Sequence, residues 1–485
     1  MKNKSLIALS LTLILTGCAV GPDYQKPTQT LDDSYQTLGE GLTNDTAKEQ
    51  WWRQFNDPLL NRYVDEALNQ NLNLKIAMQR VQMADSYRKV VASQKVPTVA
   101  LGAGYGGGMF SESGPIAGPL VTDNNPLGME LMDRQQDGFR VGADIAWEAD
   151  IFKRIDRQVD YAEIRKSQSE IVTYGVQLMV ISQVVDNYIQ LRGAQERLVV
   201  AEQNIDDQKQ LLARIEKLKE AGLAGDLEIA QAKGLLASVK AIKPMLETAI
   251  DVHQYRLAII LAQQPQALKD ELAVKHSHPL PKIEGLIPVG LPSDLLLRRP
   301  DIQFAERDMA AKNAKQAIAV ANKYPRFYLT GSPGTLGGNF GDLFSNGSGY
   351  WTAMAGFEWT IFDGGRKNAL KEAADADFVA AEYRYQRSWL NALGEVETLL
   401  SAYSHSQDSL VQIKEALDAS HLASEKAQLL YKSGMGGYIS VLDAQRTEYS
   451  IRDRYIASQV KVSQSAASLS RALGGGWKYQ PPMKS

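Results

Sequence analysis

The chain has one cysteine in 485 residues, at position 18. A lone thiol excludes an internal disulfide framework and a cysteine-rich metal centre. After residue 18 no apolar run approaches the ~20 residues a membrane-spanning helix needs. If the chain crosses a membrane, it must do so by strands. Neither sign of charge prevails, with 53 Lys and Arg against 56 Asp and Glu. That mixture gives no basis for a nucleic-acid partner or a disordered tail. There is no P-loop, no G-x-S-x-G and no H-E-x-x-H, and no other catalytic constellation stands out. The chain is therefore not expected to be an enzyme or to hold a cofactor. His276 and His278 have metal-ligand spacing, but no third ligand lies near them in sequence, so they read as solvated.

What is present begins with a processing signal. Lys2 and Lys4 precede an apolar stretch over residues 5–15, which is too short to span a bilayer. Leu15, Thr16 and Gly17 then lead into Cys18, the pattern of small residues before a lipidated cysteine. Residues 1–17 are expected to be removed and Cys18 to carry lipid on its sulfur and its amine. The formal net charge of -3 then falls to -5 as Lys2 and Lys4 leave. Ala19 at the next position favours the outer membrane over the inner.

The rest of the chain states one pattern twice, over residues 57–263 and 293–473, with a linker at 264–292 and a tail at 474–485. Residues 18–56 are polar and aperiodic, and read as an extended tether. Each copy has a helical block, a proline (Pro97, Pro325), two alternating segments around a Gly-rich loop, a helix of nearly 70 residues, a glycine turn and a shorter helix. The turns at 220–232 and 432–444 align without gaps at an offset of 212.

The alternating segments, hairpins over about 98–147 and 326–360, have period two. Val99, Leu101, Ala103 and Tyr105 share one face; Thr98, Ala100, Gly102 and Gly104 share the other. Val141, Ala143, Ile145 and Trp147 alternate with Arg140, Gly142, Asp144 and Ala146. One apolar face, one small or polar face and aromatic ends are the marks of transmembrane strands. Pro333 in the segment 332–340 suggests a short third strand. Four strands cannot close a barrel, whose minimum is about eight, and open edges are not tolerated in lipid. The chain must oligomerise in multiples of four strands.

The long helices are expected at about 155–221 and 365–433. Leu191, Leu198, Ile205 and Leu212 recur every seven residues, as do Val396, Tyr403, Leu410 and Leu417. That spacing implies coiled-coil packing, over roughly 100 Å at ~1.5 Å per residue.

Several phrases then resemble one family: GPDYQKP (21–27), WWRQFNDPLL (51–60), LLLRRPDI (295–302), IFDGGR (361–366) and LDAQR (442–446). In this order they are similar to the TolC-like outer-membrane efflux channels, in the lipoprotein branch that serves resistance-nodulation-division pumps. The resemblance implies a mixed α and β membrane protein: a homotrimer with a twelve-stranded outer-membrane barrel over a periplasmic tunnel of coiled-coil hairpins. It implies a passive exit duct for drugs or other toxic small molecules, working with a periplasmic adaptor and an inner-membrane pump. It also places the periplasmic gate at Ile439, Asp443 and Arg446, one face of a helix at spacings of four and three. Their first-copy equivalents are Leu227, Gln231 and Gly234. The hairpin tips, with Gly222, Gly225, Gly434 and Gly437, are where the adaptor would dock. The alternatives are an exit duct for protein secretion by an ATP-binding-cassette exporter and a non-conducting lipoprotein that braces the envelope.

Overall fold

The computed structural model describes residues 19–28, 34–35, 42–43, 45, 48–274, 279–283 and 285–475. Cys18, the signal segment 1–17, His276, His278 and residues 476–485 lie outside them. The main elements are α1 (Pro58–Gln70), α2 (Leu72–Ala92), β1 (Thr98–Met109), β2 (Gln135–Ala149), α3 (Arg154–Glu220) and α4 (Asp226–Ile260). The second copy supplies α5 (Pro300–Ala321), β3 (Arg326–Gly337), β4 (Gly349–Glu358), α6 (Arg366–Lys432) and α7 (Tyr438–Ala472). Both long helices have 67 residues and both that follow have 35, at the offset of 212 seen in the sequence.

The chain forms two compact units, and each takes matching pieces from both copies. One holds Met83–Lys166, Asp308–Ala381 and the described residues up to Lys26. Its centre is an antiparallel sheet in the order β1-β2-β3-β4. The apolar face carries Val99, Leu101, Val141, Leu329, Trp351 and Phe357, all solvent-exposed in the single chain. Asp150 and Asp363 start the long helices. Asp150 accepts from the amides of Ile155 (2.9 Å) and Asp156 (2.7 Å), and Asp363 from those of Gly365 and Lys367 (both 3.1 Å). These carboxylates satisfy donors that a helix leaves open at its first turn. Trp147 and Trp359 repeat a second device. Their indole N–H groups donate to the carbonyls of Lys95 (3.0 Å) and Lys323 (3.1 Å).

The third strand is not short. It runs through Pro333 to Gly337 and has 12 residues, as β1 does. The proline leaves its trace elsewhere: the β2–β3 ladder pairs Gly142 with Gly334 and Ile145 with Gly331, and nothing between. Proline has no N–H to give a ladder, so pairing lapses locally while the strand continues. Side chains bridge the gap. Arg140 donates to Asp144 Oδ1 (2.5 Å) and Ser332 Oγ (2.7 Å), and Ser332 donates to Asp144 (2.8 Å).

The other unit takes the described residues of Pro27–Gln82, Ser167–Arg307 and Glu382–Ser485. The heptad positions Leu191, Leu198, Ile205, Val396 and Tyr403 are buried there. The expected tether ends earlier than residue 56. Trp51–Phe55 forms a 3-10 turn whose Trp51, Trp52 and Phe55 are buried in the core. Three aromatic side chains in five residues bury too much apolar area to remain in solvent. Asp57 then caps α1, accepting from Leu59 (2.9 Å) and Leu60 (3.0 Å), with Pro58 at the first helical position. Leu42–Thr43 pairs in parallel with Ile287–Pro288. Arg299, from the LLLRRPDI phrase, ties three segments: it donates to Ala472 O (2.9 Å) and pairs with Asp301 and Glu395 (both 2.7 Å). No described helix is long and apolar enough to cross a membrane.

Candidate functional site: the hairpin tips and the helix after them

Each long helix must reverse direction within a few residues. At both tips a glycine takes a positive φ, Gly222 at 75° and Gly434 at 73°. Leu223 N–H then reaches back to Leu218 O (2.8 Å) and Met435 N–H to Leu430 O (2.9 Å). Gly222 and Gly434 donate to Lys219 O (2.9 Å) and Tyr431 O (3.1 Å). This is the Schellman closure, which needs a residue in the left-handed region. Gly225 and Gly437 instead stand in extended conformation as N-caps of α4 and α7. Glu228 closes the first cap by accepting from Gly225 N–H (3.0 Å).

The three expected gate residues do share one face of α7, and it is open. Ile439 is 59% exposed, and the Asp443 and Arg446 side chains 66% and 70%. Arg446 Nη2 lies 2.9 Å from Asp443 Oδ1. An exposed pair three residues apart on a helix contributes only roughly 0.2–0.5 kcal/mol. Nothing in the fold depends on it, so both groups are free to exchange partners. Leu227 is 62% exposed, and Gln231 and Gly234 are exposed. The corresponding first-copy face therefore carries no charge at these positions.

A flanking face of α7 is held, and by the other copy. Tyr438 is buried against Ile215 and Ala232. Tyr449 donates to Asp207, Gln208 meets Gln445 (3.5 Å), and Arg197 forms a two-pronged pair with Asp453 (2.6 and 3.0 Å). Within the second hairpin, buried Glu448 takes contacts from His421 (2.8 Å) and Arg452 (3.3 Å). Sequence reading missed this cross-copy row, and no local signal marks it. Helix periodicity identifies an inward face but not which distant helix covers it. Among the described residues no group of three or more His, Cys, Asp or Glu is placed to hold a metal ion.

Comparison with known proteins agrees along nearly the whole chain. The family model described as outer membrane efflux protein matches residues 63–263 and 291–475. The solvent efflux pump outer membrane protein SrpC of Pseudomonas putida is 30% identical over 490 residues, covering 98% of this chain and 99% of its own. The cation efflux system protein CusC of Escherichia coli O6:H1 is 27% identical, over 99% of this chain and all of its own. The solved outer-membrane channel OprN superposes with a TM-score of 0.85 at 31% identity, over 95% of this chain and all of that one.

Proposed function

The chain belongs to the outer membrane efflux protein family, and from that premise we propose that Ile439, Asp443 and Arg446 form the gate of its passive exit duct. It is an outer-membrane channel of an efflux system. The family is one of channels rather than enzymes, and its members work as trimers with an adaptor and an inner-membrane pump.

One observation carries the gate. α7 presents an apolar residue and two charges to the open side while a flanking row, Gln445, Tyr449 and Asp453, is bonded to α3. In a trimer these residues recur three times about one axis. Close carboxylates repel unless paired, and rings of charged side chains govern ion passage in channels. Exchange of the Asp443–Arg446 contact within one helix for contacts between neighbours would tie the ring shut. The conductance of Asp443→Ala with Arg446→Ala in a planar bilayer tests this. A larger single-channel conductance than the unaltered protein is expected; the same conductance removes these residues from the gate.

The remaining assignments follow from the same reading. Cys18 carries the lipid that anchors the chain to the outer membrane. The tips with Gly222, Gly225, Gly434 and Gly437 receive the adaptor. The pump is of the resistance-nodulation-division type. Relatives named for solvents and for cations suit a duct that leaves selection to its pump. Efflux takes precedence over protein secretion and envelope bracing because those relatives are efflux proteins. A photo-cross-linker at Met435→Cys, which is 75% exposed at the tip, identifies the adaptor in intact cells. Recovery of no adaptor overturns tip docking.

A further inference from the structure

Between α3 and α7 lies a cleft that shares no residue with the tips or with Ile439, Asp443 and Arg446. It encloses about 400 Å³, within the range of sites for small organic molecules. Both walls belong to one compact unit, so a single chain builds it whole. The rear of α3 sets the direction in which it opens. Val180, Ile181, Val184 and Tyr188 are buried in a core that also takes Leu60 and Tyr63 of α1. Met179, Gln183 and Asp186 stand on the other side and are exposed. α7 repeats the contrast. Ser463, Ala466, Leu469 and Ser470 are buried, while Gln464, Ser468 and Arg471, at spacings of four and three, line the cleft. In a duct walled by these helices, the side turned from the core is the side that passing solute meets.

The cleft sets an apolar wall beside one charge without a counter-ion. Leu178, Met179 and Ala467 supply the apolar side. Gly175, Ala467 and Ser468 correspond, at the offset of 212, to Arg387, Tyr255 and Arg256. The repeat carries bulk at the positions where this cleft has none, so the opening is particular to the α3–α7 contact. Arg471 pairs with Glu395 (2.9 Å), in a group with Arg299 and Asp301 whose charges sum to zero. Asp186 accepts a hydrogen bond from Gln464, 278 residues away, and has no ion-pair partner among the described residues. His253 of α4 feels Asp186, but burial holds its pKa below the ordinary value. At neutral pH it leaves the carboxylate uncompensated.

A lone carboxylate beside apolar side chains is complementary to an organic cation, and methionine sulfur makes favourable contacts with aromatic rings. We propose that the cleft is a transient binding site for amphiphilic aromatic cations. Asp186 takes the charge, and Leu178, Met179 and Ala467 take the ring face. The proposal rests on the exit-duct reading and deepens it by naming a class of solute that pauses on the wall. The cleft is open on one side and offers a single charge. Such a site holds a solute and still releases it, as conduction requires.

Ethidium fluorescence tests the site on the full-length trimer in lipid nanodiscs. Binding should saturate at one ethidium per chain. Asp186→Asn keeps an acceptor for Gln464 and removes the charge. It should weaken binding about tenfold, the loss of one charge-assisted contact. Ser468→Phe fills the cleft and should abolish binding. Met179 is 42% exposed, so Met179→Ala spares the core and should weaken binding severalfold even where the larger change prevents assembly. Equal binding by the unaltered protein and Asp186→Asn overturns the proposal, as does the absence of saturable binding. Equal affinity for phenanthridine, the uncharged parent ring, overturns the cation class. Ethidium binding as expected to a protein that conducts no ions in a planar bilayer overturns the duct reading and leaves the site standing.

Discussion

Arg197 on α3 and Asp453 on α7 meet through two hydrogen bonds, Nε to Oδ1 at 2.6 Å and Nη2 to Oδ2 at 3.0 Å. They belong to different copies of the repeat, 256 residues apart, and their bond holds α7, the helix proposed to bear the gate, to its neighbour. Both side chains are more than a third exposed, so solvent screens the pair and its worth to stability is roughly 0.2–1 kcal/mol. Arg197→Ala should leave the melting temperature nearly unchanged while raising the open probability in a planar bilayer. A large fall in melting temperature with unaltered gating would make the pair a structural bond only.

The glycine turns give a stability prediction. Gly222→Ala and Gly434→Ala force a side chain into the left-handed region at φ near 75°, which costs about 1–2 kcal/mol. Each should lower the melting temperature by a few degrees. Asn, which tolerates that region better, should restore part of the loss at either position.

Asp57 serves two structures at once. One carboxylate oxygen caps α1, and the other accepts from the hydroxyl of buried Tyr188 at 2.8 Å. Asp57→Ala should cost about 1 kcal/mol for the cap and about 1–3 kcal/mol for the hydroxyl left without its acceptor. Asp57→Asn, which can still cap, should lose less. Equal denaturation midpoints for the two variants would show that the Tyr188 bond accounts for the whole effect.

His253 provides a pH dependence. Burial, and then the positive charge of Arg256, hold its pKa below the ordinary 6.5, with Asp186 opposing. Its Nδ1 sits 3.1 Å from Asn187 Oδ1. A histidine with a lowered folded pKa binds fewer protons folded than unfolded. Its contribution is intact above 6.5 and is lost as pH falls from 6.5 toward the folded value. Between pH 7.5 and 5.5 the unaltered protein should therefore lose more melting temperature than His253→Gln. Parallel profiles would show that His253 is not the responsible group.

Much of the repeat was legible in residue order because it rests on short-range rules. Period two in the hairpins, period seven in the long helices and glycine at the tips each follow from backbone geometry within a few residues. The helix limits fall within a residue or two of those expected. The phrases behind the family resemblance turn out to be mostly structural. Trp51, Trp52 and Phe55 fill the core, while Asp57 and Asp363 cap helices and Arg299 ties segments. Only the 442–446 phrase reaches the open face of α7, through Asp443 and Arg446, while its Leu442 packs into the cluster around Tyr438. Pro333 misled because a proline removes one ladder donor without ending a strand, and Arg140, Asp144 and Ser332 span what it leaves.

The sequence by itself determined the two copies, their offset, the membrane-facing alternation and the need for more than one chain. An apolar period states which face must be covered, and an unpaired backbone states that a partner is required. Neither states which partner. Tertiary structure alone decided that α7 lies on α3 of the other copy through Arg197, Asp207 and Tyr449, and that β2 joins β3 in a single register. Those choices depend on shape and charge meeting across hundreds of residues, where no local rule reaches.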